Sequence, residues 1–385
     1  MTQRKAKRGR EVGHEHLILS RPRRPSKRSG VPVIPPNQRG CILRGDSAHV
    51  LRSVASDSVD ALVTDPPAGI GLYGLAWDSD RGGQDAWCAW LADILREAVR
   101  AMKPGAHGFI WAYPKTAHWT MRACELAGLE IRDVAVHLFG YRMPRGVDIA
   151  KAIDAKLGVE PRVVGSRTSS KIDLGQGKRR PVRRVIQITE PTSKLARQWQ
   201  GWTTSLKPAS EHWILVRKPV TCRLVDNVLE LGTGAINVGA CTVDGRLPSS
   251  VIVGHDDLCS VDCTDRCPAG LLGERARFFY AHRPSTTELE AGCESLGRRR
   301  ASAALGLQGR LNQHPTPKPL SLMRWLVRLI TPKGGLVLDP FAGSGSTGAA
   351  AMLEGATFLG IERDEASVRV ARARLAYWKR KAGLR

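Results

Sequence analysis

The chain has 385 residues, 42% of them hydrophobic, which is enough for one large α/β domain with an insertion or for two domains. Its formal charge of +23 and pI near 10.2 point to a polyanionic partner, nucleic acid before an anionic membrane surface. No run approaches the ~18 apolar residues of a membrane span, the basic N-terminus has no apolar segment of the secretory kind, and nine cysteines do not make a secreted disulfide framework.

Residues 1–30 hold ten Lys/Arg and two Glu with almost no apolar pattern, so 1–38 is expected to be a disordered basic arm, leading into a linker marked by Pro32, Pro35 and Pro36. Cys41-Ile42-Leu43 reads as a short strand ending in Gly45-Asp46, followed by a helical turn around Ala48–Val54. Asp60–Thr64 is an apolar strand that runs into Asp65-Pro66-Pro67-Ala68. Asp85–Met102 has helical periodicity through Trp87, Trp90, Leu91, Ile94, Leu95 and Ala98, and Pro104-Gly105 closes it. A strand over Gly108–Ala112, a helix over Thr116–Ala127 and a strand over Ile131–Leu138 follow. This βαβ rhythm predicts a mostly parallel sheet with helices on both faces.

From about 155 to 310 the rhythm lapses. Residues 161–220 carry thirteen Lys/Arg and three acids, with basic runs at Lys178-Arg179-Arg180 and Arg298-Arg299-Arg300 nearby. The segment reads as an insertion or second lobe with long loops. The rhythm returns at Pro319–Ile330 (helix), Leu336–Asp339 (strand), Ser346–Leu353 (helix), Thr357–Glu362 (strand) and Glu365–Trp378 (helix).

Two segments carry chemistry. In Asp339-Pro340-Phe341-Ala342-Gly343-Ser344-Gly345 a strand ends in a glycine turn that opens a helix, where a ligand can approach the backbone closely. Glu362, at the end of the next strand, suits ribose hydroxyls. Gly343, Gly345 and Gly348 formally fit a dinucleotide fingerprint as well as an S-adenosylmethionine site. The Asp339 carboxylate discriminates: it repels a pyrophosphate and suits a cationic amino group. In the other segment, two prolines make a rigid corner after a strand, holding the Asp65 carboxylate and the Pro66 carbonyl as fixed acceptors. Two such acceptors can pull the hydrogens of an aromatic amine out of conjugation and leave its lone pair available. Alone, Asp-Pro-Pro is equally an ordinary turn.

With these residues the chain resembles the bacterial and phage DNA methyltransferases of the N4-cytosine/N6-adenine type, in the permuted order that puts the catalytic motif before the cofactor motif. Asp65–Ile70, Trp77-Asp78, Lys103-Pro104-Gly105, His137-Leu138-Phe139-Gly140, Leu206–Glu211, Arg277-Phe278-Phe279-Tyr280, His314–Pro319 and Asp339–Gly345 carry the likeness, which covers most of residues 41–380. The resemblance implies a Rossmann-like α/β methyltransferase fold with a mostly parallel, seven-stranded sheet and a basic insertion for target recognition. It implies S-adenosylmethionine as methyl donor, with Asp339, Phe341, Gly343, Ser344 and Gly345 lining its pocket. Glu362 would then hold the ribose, Asp46 approach the adenine, and Thr316 and Lys318 meet the carboxylate end. Asp65, Pro66, Pro67 and Ala68 form the catalytic tetrapeptide. The expected partner is duplex DNA, its target base extruded, met by a monomer or homodimer in a bacterial or phage-infected cytoplasm, in the setting of restriction–modification. The chain then divides into the arm 1–38, a catalytic half 39–155, a target-recognition insertion 156–312 and a cofactor-binding half 313–385. Adenine N6 is preferred over cytosine N4, because cytosine enzymes more often have Ser in place of Asp65, and an RNA methyltransferase ranks below both.

One departure stands out. Most relatives have an aromatic residue after the two prolines, where this chain has Ala68. Tyr73 and Trp77 are the candidates to stack on the base instead. His255, Cys259, Cys263 and Cys267 recur at spacings of four, so a zinc cluster is conceivable, but the Cys-x-x-Cys pair usual for zinc is missing; a loop with free thiols is the preferred reading and no metal ligand is assigned. Trp199, Trp202 and Trp213 are read as core or interface aromatics before base-stacking ones.

Overall fold

In a computed structural model, residues 40–139, 146–173, 180–243, 245–255, 259, 263, 267–272, 279–281, 284–297, 310–312 and 314–384 are described, all within one compact unit, Pro32–Arg385. The expected basic arm, Gly140, Lys178-Arg179, Arg277-Phe278 and Arg298–Arg300 lie outside the described residues, as do the side chains of Tyr73 and Tyr280.

Eleven strands are described: β1 Gly40–Arg44, β2 Val59–Thr64, β3 Met102–Ala112, β4 Glu130–Leu138, β5 Arg162–Asp173, β6 Arg180–Glu190, β7 Ser210–Arg217, β8 Val251–Gly254, β9 Phe279–Ala281, β10 Leu336–Asp339 and β11 Thr357–Glu362. Nine form one sheet in the order β1-β11-β10-β2-β3-β7-β4-β8-β9, and β5 with β6 makes a separate hairpin. Every neighbouring pair in the large sheet is parallel except β3–β7 and β7–β4. The run from β1 to β4 comprises the seven strands expected, and β8 and β9 extend that sheet beyond β4.

Burial explains the sheet. Every residue of β2 is buried, as a parallel strand covered on both faces requires. Successive side chains alternate between two cores. Ala61, Val63, Phe109, Trp111, Trp213 and Leu215 face helices Leu320–Ile330, Ser346–Leu353 and Glu365–Lys381. Leu62, Ile110, Ala112, Ile214 and Val216 face helices Gln84–Ala101 and Ala117–Leu126. Asp60 intrudes on this apolar strand near its buried edge, where it accepts a hydrogen bond from Leu336 N at 2.7 Å and pairs with Lys103.

Two expectations need correction. The helix ends at Ala101, one residue before the expected Met102, and the strand starts at Met102 rather than Gly108 and passes through Pro104-Gly105. Asn227 Nδ2 donates to Pro104 O at 3.0 Å, so the Pro-Gly kink is held inside the strand by a distant side chain. The segment 156–312 also does not stay outside the sheet. Strand β7, with Glu211 and Trp213 to Val216 buried, inserts antiparallel between β3 and β4, and β8 and β9 follow at the edge. What stands apart is the β5–β6 hairpin, followed by helix Lys194–Gln198. Buried Asp154 in helix Ile149–Lys156 fastens that region by accepting from Thr192 N at 2.8 Å and Ser193 N at 3.1 Å.

No described helix is long and apolar enough to cross a membrane.

Candidate active site

Parallel strands bring four carboxylates to one edge. β1 is followed by Asp46, β11 ends in Glu362, β10 ends in Asp339 and β2 is followed by Asp65. Chain order reverses between β10 and β2, where ligands of open α/β sheets bind. Thr64 Oγ1 donates to Asp339 Oδ1 across this point at 2.7 Å.

Asp339 is buried and accepts two further bonds, from Phe341 N at 3.0 Å and Thr347 Oγ1 at 2.6 Å. Desolvation nevertheless dominates and pushes its carboxyl up to about 6, against the pull of the two threonines. A carboxyl so poised is relieved by a cation. The turn after it requires its glycines. Gly343 has φ +51°, and a Cβ there would meet His314 Nε2 at 2.8 Å. Gly343 N donates to Glu362 Oε2 at 2.9 Å, tying the turn to the end of β11. Desolvation also raises the Glu362 carboxyl. Phe341 packs against Trp90 in a tilted contact, ring centroids 5.8 Å apart, and the Arg81 guanidinium lies 3.8 Å over the Trp90 ring. Asp46 caps helix Ser47–Val50, accepting from Ala48 N at 3.0 Å.

Asp65 sits at the corner, with Pro66 buried and Pro67 and Ala68 half-buried. Lys318 forms an ion pair with Asp65, and its ammonium lies 4.2 Å over the Trp111 ring. Burial raises the Asp65 carboxyl, the Lys318 cation opposes that, and Glu211 and Asp78 add to the rise. Lys318, which the family pattern places at the cofactor's carboxylate end, thus has its charge on the Asp65 corner. Segment His314–Pro319 links the two motifs: His314 packs beneath the glycine turn and Lys318 reaches Asp65. Thr316 lies between them, its N donating to His314 Nδ1 at 3.4 Å. Desolvation, assisted by Lys318 and Arg374, pushes His314 down to about 4, so it is neutral.

The loop beyond the tetrapeptide is tied by Asp78, whose carboxylate accepts from Gly69 N at 3.0 Å and Leu72 N at 2.8 Å. Thr116 Oγ1 donates to Ala68 O at 2.8 Å. Gly69 is required here, since its φ is +69° and a Cβ would lie 2.7 Å from Trp87 Nε1. Trp77 is half-buried in the short turn Ala76–Asp78.

Sequence reasoning missed two contributors. Arg374 is fully buried under the glycine turn and donates to Ser344 O at 2.7 Å. In sequence it is one arginine among many on a basic helix. Asp78 was visible only as part of a Trp-Asp likeness, and its two backbone donors give its role. Of the tryptophans, Trp213 is in the core, while Trp199 and Trp202 form an exposed edge-to-face pair with centroids 5.3 Å apart.

Residues 183–373 match the family model described as DNA methylase, of the N6/N4 type. The type II methyltransferase M2.DpnII of Streptococcus pneumoniae is 41% identical over 63 residues, 16% of this chain and 24% of that protein. YubD of Escherichia coli, described as a methylase, is 46% identical over 63 residues, 16% of this chain and 28% of its own length. The aligned stretch thus spans about a quarter of each of these curated relatives. The PvuII DNA methyltransferase, described as cytosine-N4-specific, superposes with a TM-score of 0.50 at 12% identity, covering 91% of this chain and 94% of that one. The fold is that of the DNA methyltransferases. Residues 183–373 belong to the N6/N4 DNA methylase family.

Proposed function

We propose that the chain transfers a methyl group from S-adenosylmethionine to the exocyclic N6 amine of adenine in duplex DNA. The observation that carries this reading is the Asp65-Pro66-Pro67 corner beside Asp339 at the point where strand order reverses. There a target amine and a cationic donor can meet at one sheet edge.

The residues present fit the donor. Asp339 offers a desolvated carboxylate suited to an ammonium, the turn at Gly343 admits a ligand to the backbone, and Glu362 ends the next strand facing that turn. Phe341, Ser344 and Gly345 would complete the pocket, with Asp46 beyond the end of β1 and Thr316 in the linking segment. The donor supplies a methyl group activated by its sulfonium. The chain supplies position: Asp65 and the Pro66 carbonyl accept the two amine hydrogens and aim the nitrogen lone pair. Pro67 holds the corner rigid. Lys318 opposes the burial that raises the Asp65 carboxyl and so favours its anionic, hydrogen-accepting form.

The amine is unreachable inside a stacked duplex, so the base leaves the helix. Ala68 cannot stack on it. Trp77, on the loop tied by Asp78, is the described aromatic proposed for that contact. The region of the β5–β6 hairpin and the exposed Trp199–Trp202 pair belongs to the segment proposed to read the DNA. An acid rather than Ser at position 65 favours adenine.

Modified-base sequencing of DNA from cells expressing the chain tests the reading. N6-methyladenine in a defined context, absent with Asp65→Ala, is expected. N4-methylcytosine instead would overturn the assignment of the base, and unmodified DNA the assignment of the substrate.

A further inference from the structure

The structure brings together four side chains that the methyl-transfer site does not use. His255 follows β8, Cys267 immediately precedes the short helix Pro268–Leu272, and Cys259 and Cys263 fall between them in sequence. One ligand atom from each lies within 4.8 Å of all the others. Cys263 Sγ is 3.4 Å and Cys267 Sγ 3.7 Å from the same nitrogen, His255 Nδ1. A tetrahedral ion with metal–sulfur bonds of ~2.3 Å and a metal–nitrogen bond of ~2.0 Å places sulfur and nitrogen ~3.5 Å apart. The observed separations are therefore close to the edges of such a tetrahedron.

We propose that His255, Cys259, Cys263 and Cys267 bind a structural zinc ion at the outer edge of the large sheet. Three thiolates and one imidazole are a zinc donor set, and four protein ligands leave no open position for catalysis. The surroundings explain why a metal is needed. On one face Ile252 and Ala281 join the main core, with Phe279 packed against it. On the other face, among the described residues, the apolar cluster has only Val253, Cys267 and Ala269 buried, with Val251 and Cys259 packed against it. So small a cluster is a weak hold on the segment that carries Cys267 and the helix after it, and a metal crosslink would reinforce it. His255 is pinned to the sheet by its backbone, its N donating to Ala281 O of β9 at 3.2 Å. Cys267 O accepts from Leu271 N at 2.9 Å, so the last ligand is fixed to the start of the helix. The ion would thus join the edge of the sheet to the helix that follows. In the sequence, zinc ranked below a loop with free thiols for want of a Cys-x-x-Cys pair. The fold makes that pair unnecessary by bringing residues four apart to one point.

The test uses the full chain purified under reducing conditions, with metal content measured by elemental analysis. About one zinc per chain is expected. Cys263 is the exposed member, so Cys263→Ser removes a ligand without hollowing the core and is expected to lose most of the zinc. Cys222→Ser, at an exposed thiol outside the cluster, is expected to keep it. Replacement by cobalt(II) in the wild-type chain gives a second readout independent of any variant's folding, because tetrahedral thiolate ligation produces intense visible absorption. Failure to take up zinc after reconstitution with the metal alone overturns the proposal. So does full zinc content in Cys263→Ser, or a disulfide among these cysteines in protein kept reduced. None of these readouts depends on methyl transfer.

Discussion

Replacing Asp339 by Asn should stabilise the protein at neutral pH while weakening its hold on the donor. The folded-state carboxyl titrates at about 6 against an ordinary value of 3.8. At ~1.4 kcal/mol per unit, keeping it ionised above pH 7 costs the folded state about 3 kcal/mol. The sign follows from the direction of the shift. A carboxyl whose folded pKa is raised contributes stability that is present in full below 3.8 and lost as the pH climbs through about 6. Asn removes that loss. Its Oδ1 can keep the bonds from Thr64 and Phe341, but Thr347 must turn its hydroxyl to accept from Nδ2, which forfeits about 1 kcal/mol. Asp339→Asn should therefore be more stable than wild type by about 2 kcal/mol at pH 7.5 without cofactor, and the advantage should vanish toward pH 4. Binding should move the other way, because a charge-assisted hydrogen bond contributes about 1.5–3 kcal/mol, so S-adenosylmethionine should bind roughly 10- to 100-fold more weakly. Denaturant melts at both pH values and calorimetric titration at pH 7.5 measure the two effects. A stability gap that does not change with pH, or unaltered affinity, would refute the reasoning.

Other perturbations separate the two halves of the site. Gly343→Ala places a methyl against His314 in a left-handed backbone and should cost about 2–4 kcal/mol of stability, read by urea melts, with partial recovery in the Gly343→Ala, His314→Ala double variant. Lys318→Met removes the cation that opposes burial at Asp65. The Asp65 pKa should rise further, moving the acid limb of the kcat/KM pH profile to higher pH, and an unmoved limb would show that Asp65 ionisation is not required. Asp78→Ala strips two backbone donors of their acceptor in a loop beside the catalytic corner. Methyl transfer in a labelled-donor assay should fall more than tenfold while donor affinity, fixed across the sheet by other residues, stays within a factor of about two.

Local pattern carried much of this fold. β10 and helix Ser346–Leu353 appear at their expected bounds because an apolar run, a glycine turn and a small-residue helix are all short-range signals. β7 was missed although Trp213 to Val216 is a plain buried run, because the basic, irregular sequence around it suggested a lobe outside the sheet. The start of β3 was missed because Pro104-Gly105 normally ends an element. Here Asn227 and Thr233, more than 120 positions away, hold it as strand. The carboxylates of the site were legible as residues that end or follow strands. Their partners were not: Lys318 meets Asp65 across 253 positions and Arg374 meets Ser344 from a helix whose surface is otherwise basic and solvated. Sequence showed which residues end strands, and the parallel pairing showed that four of those ends share one edge.

The central claim is that the Asp65-Pro66 corner activates an exocyclic amine for methyl transfer. The most direct measurement incubates wild type and Asp65→Ala with labelled S-adenosylmethionine and duplex DNA, measures donor binding for both, and digests the DNA to identify the labelled nucleoside. The predicted result is label in N6-methyladenine with wild type, and loss of it by three orders of magnitude or more, roughly, in the variant while donor affinity is retained. Equal labelling by the two proteins, or label found in RNA or protein but not in DNA, would contradict it.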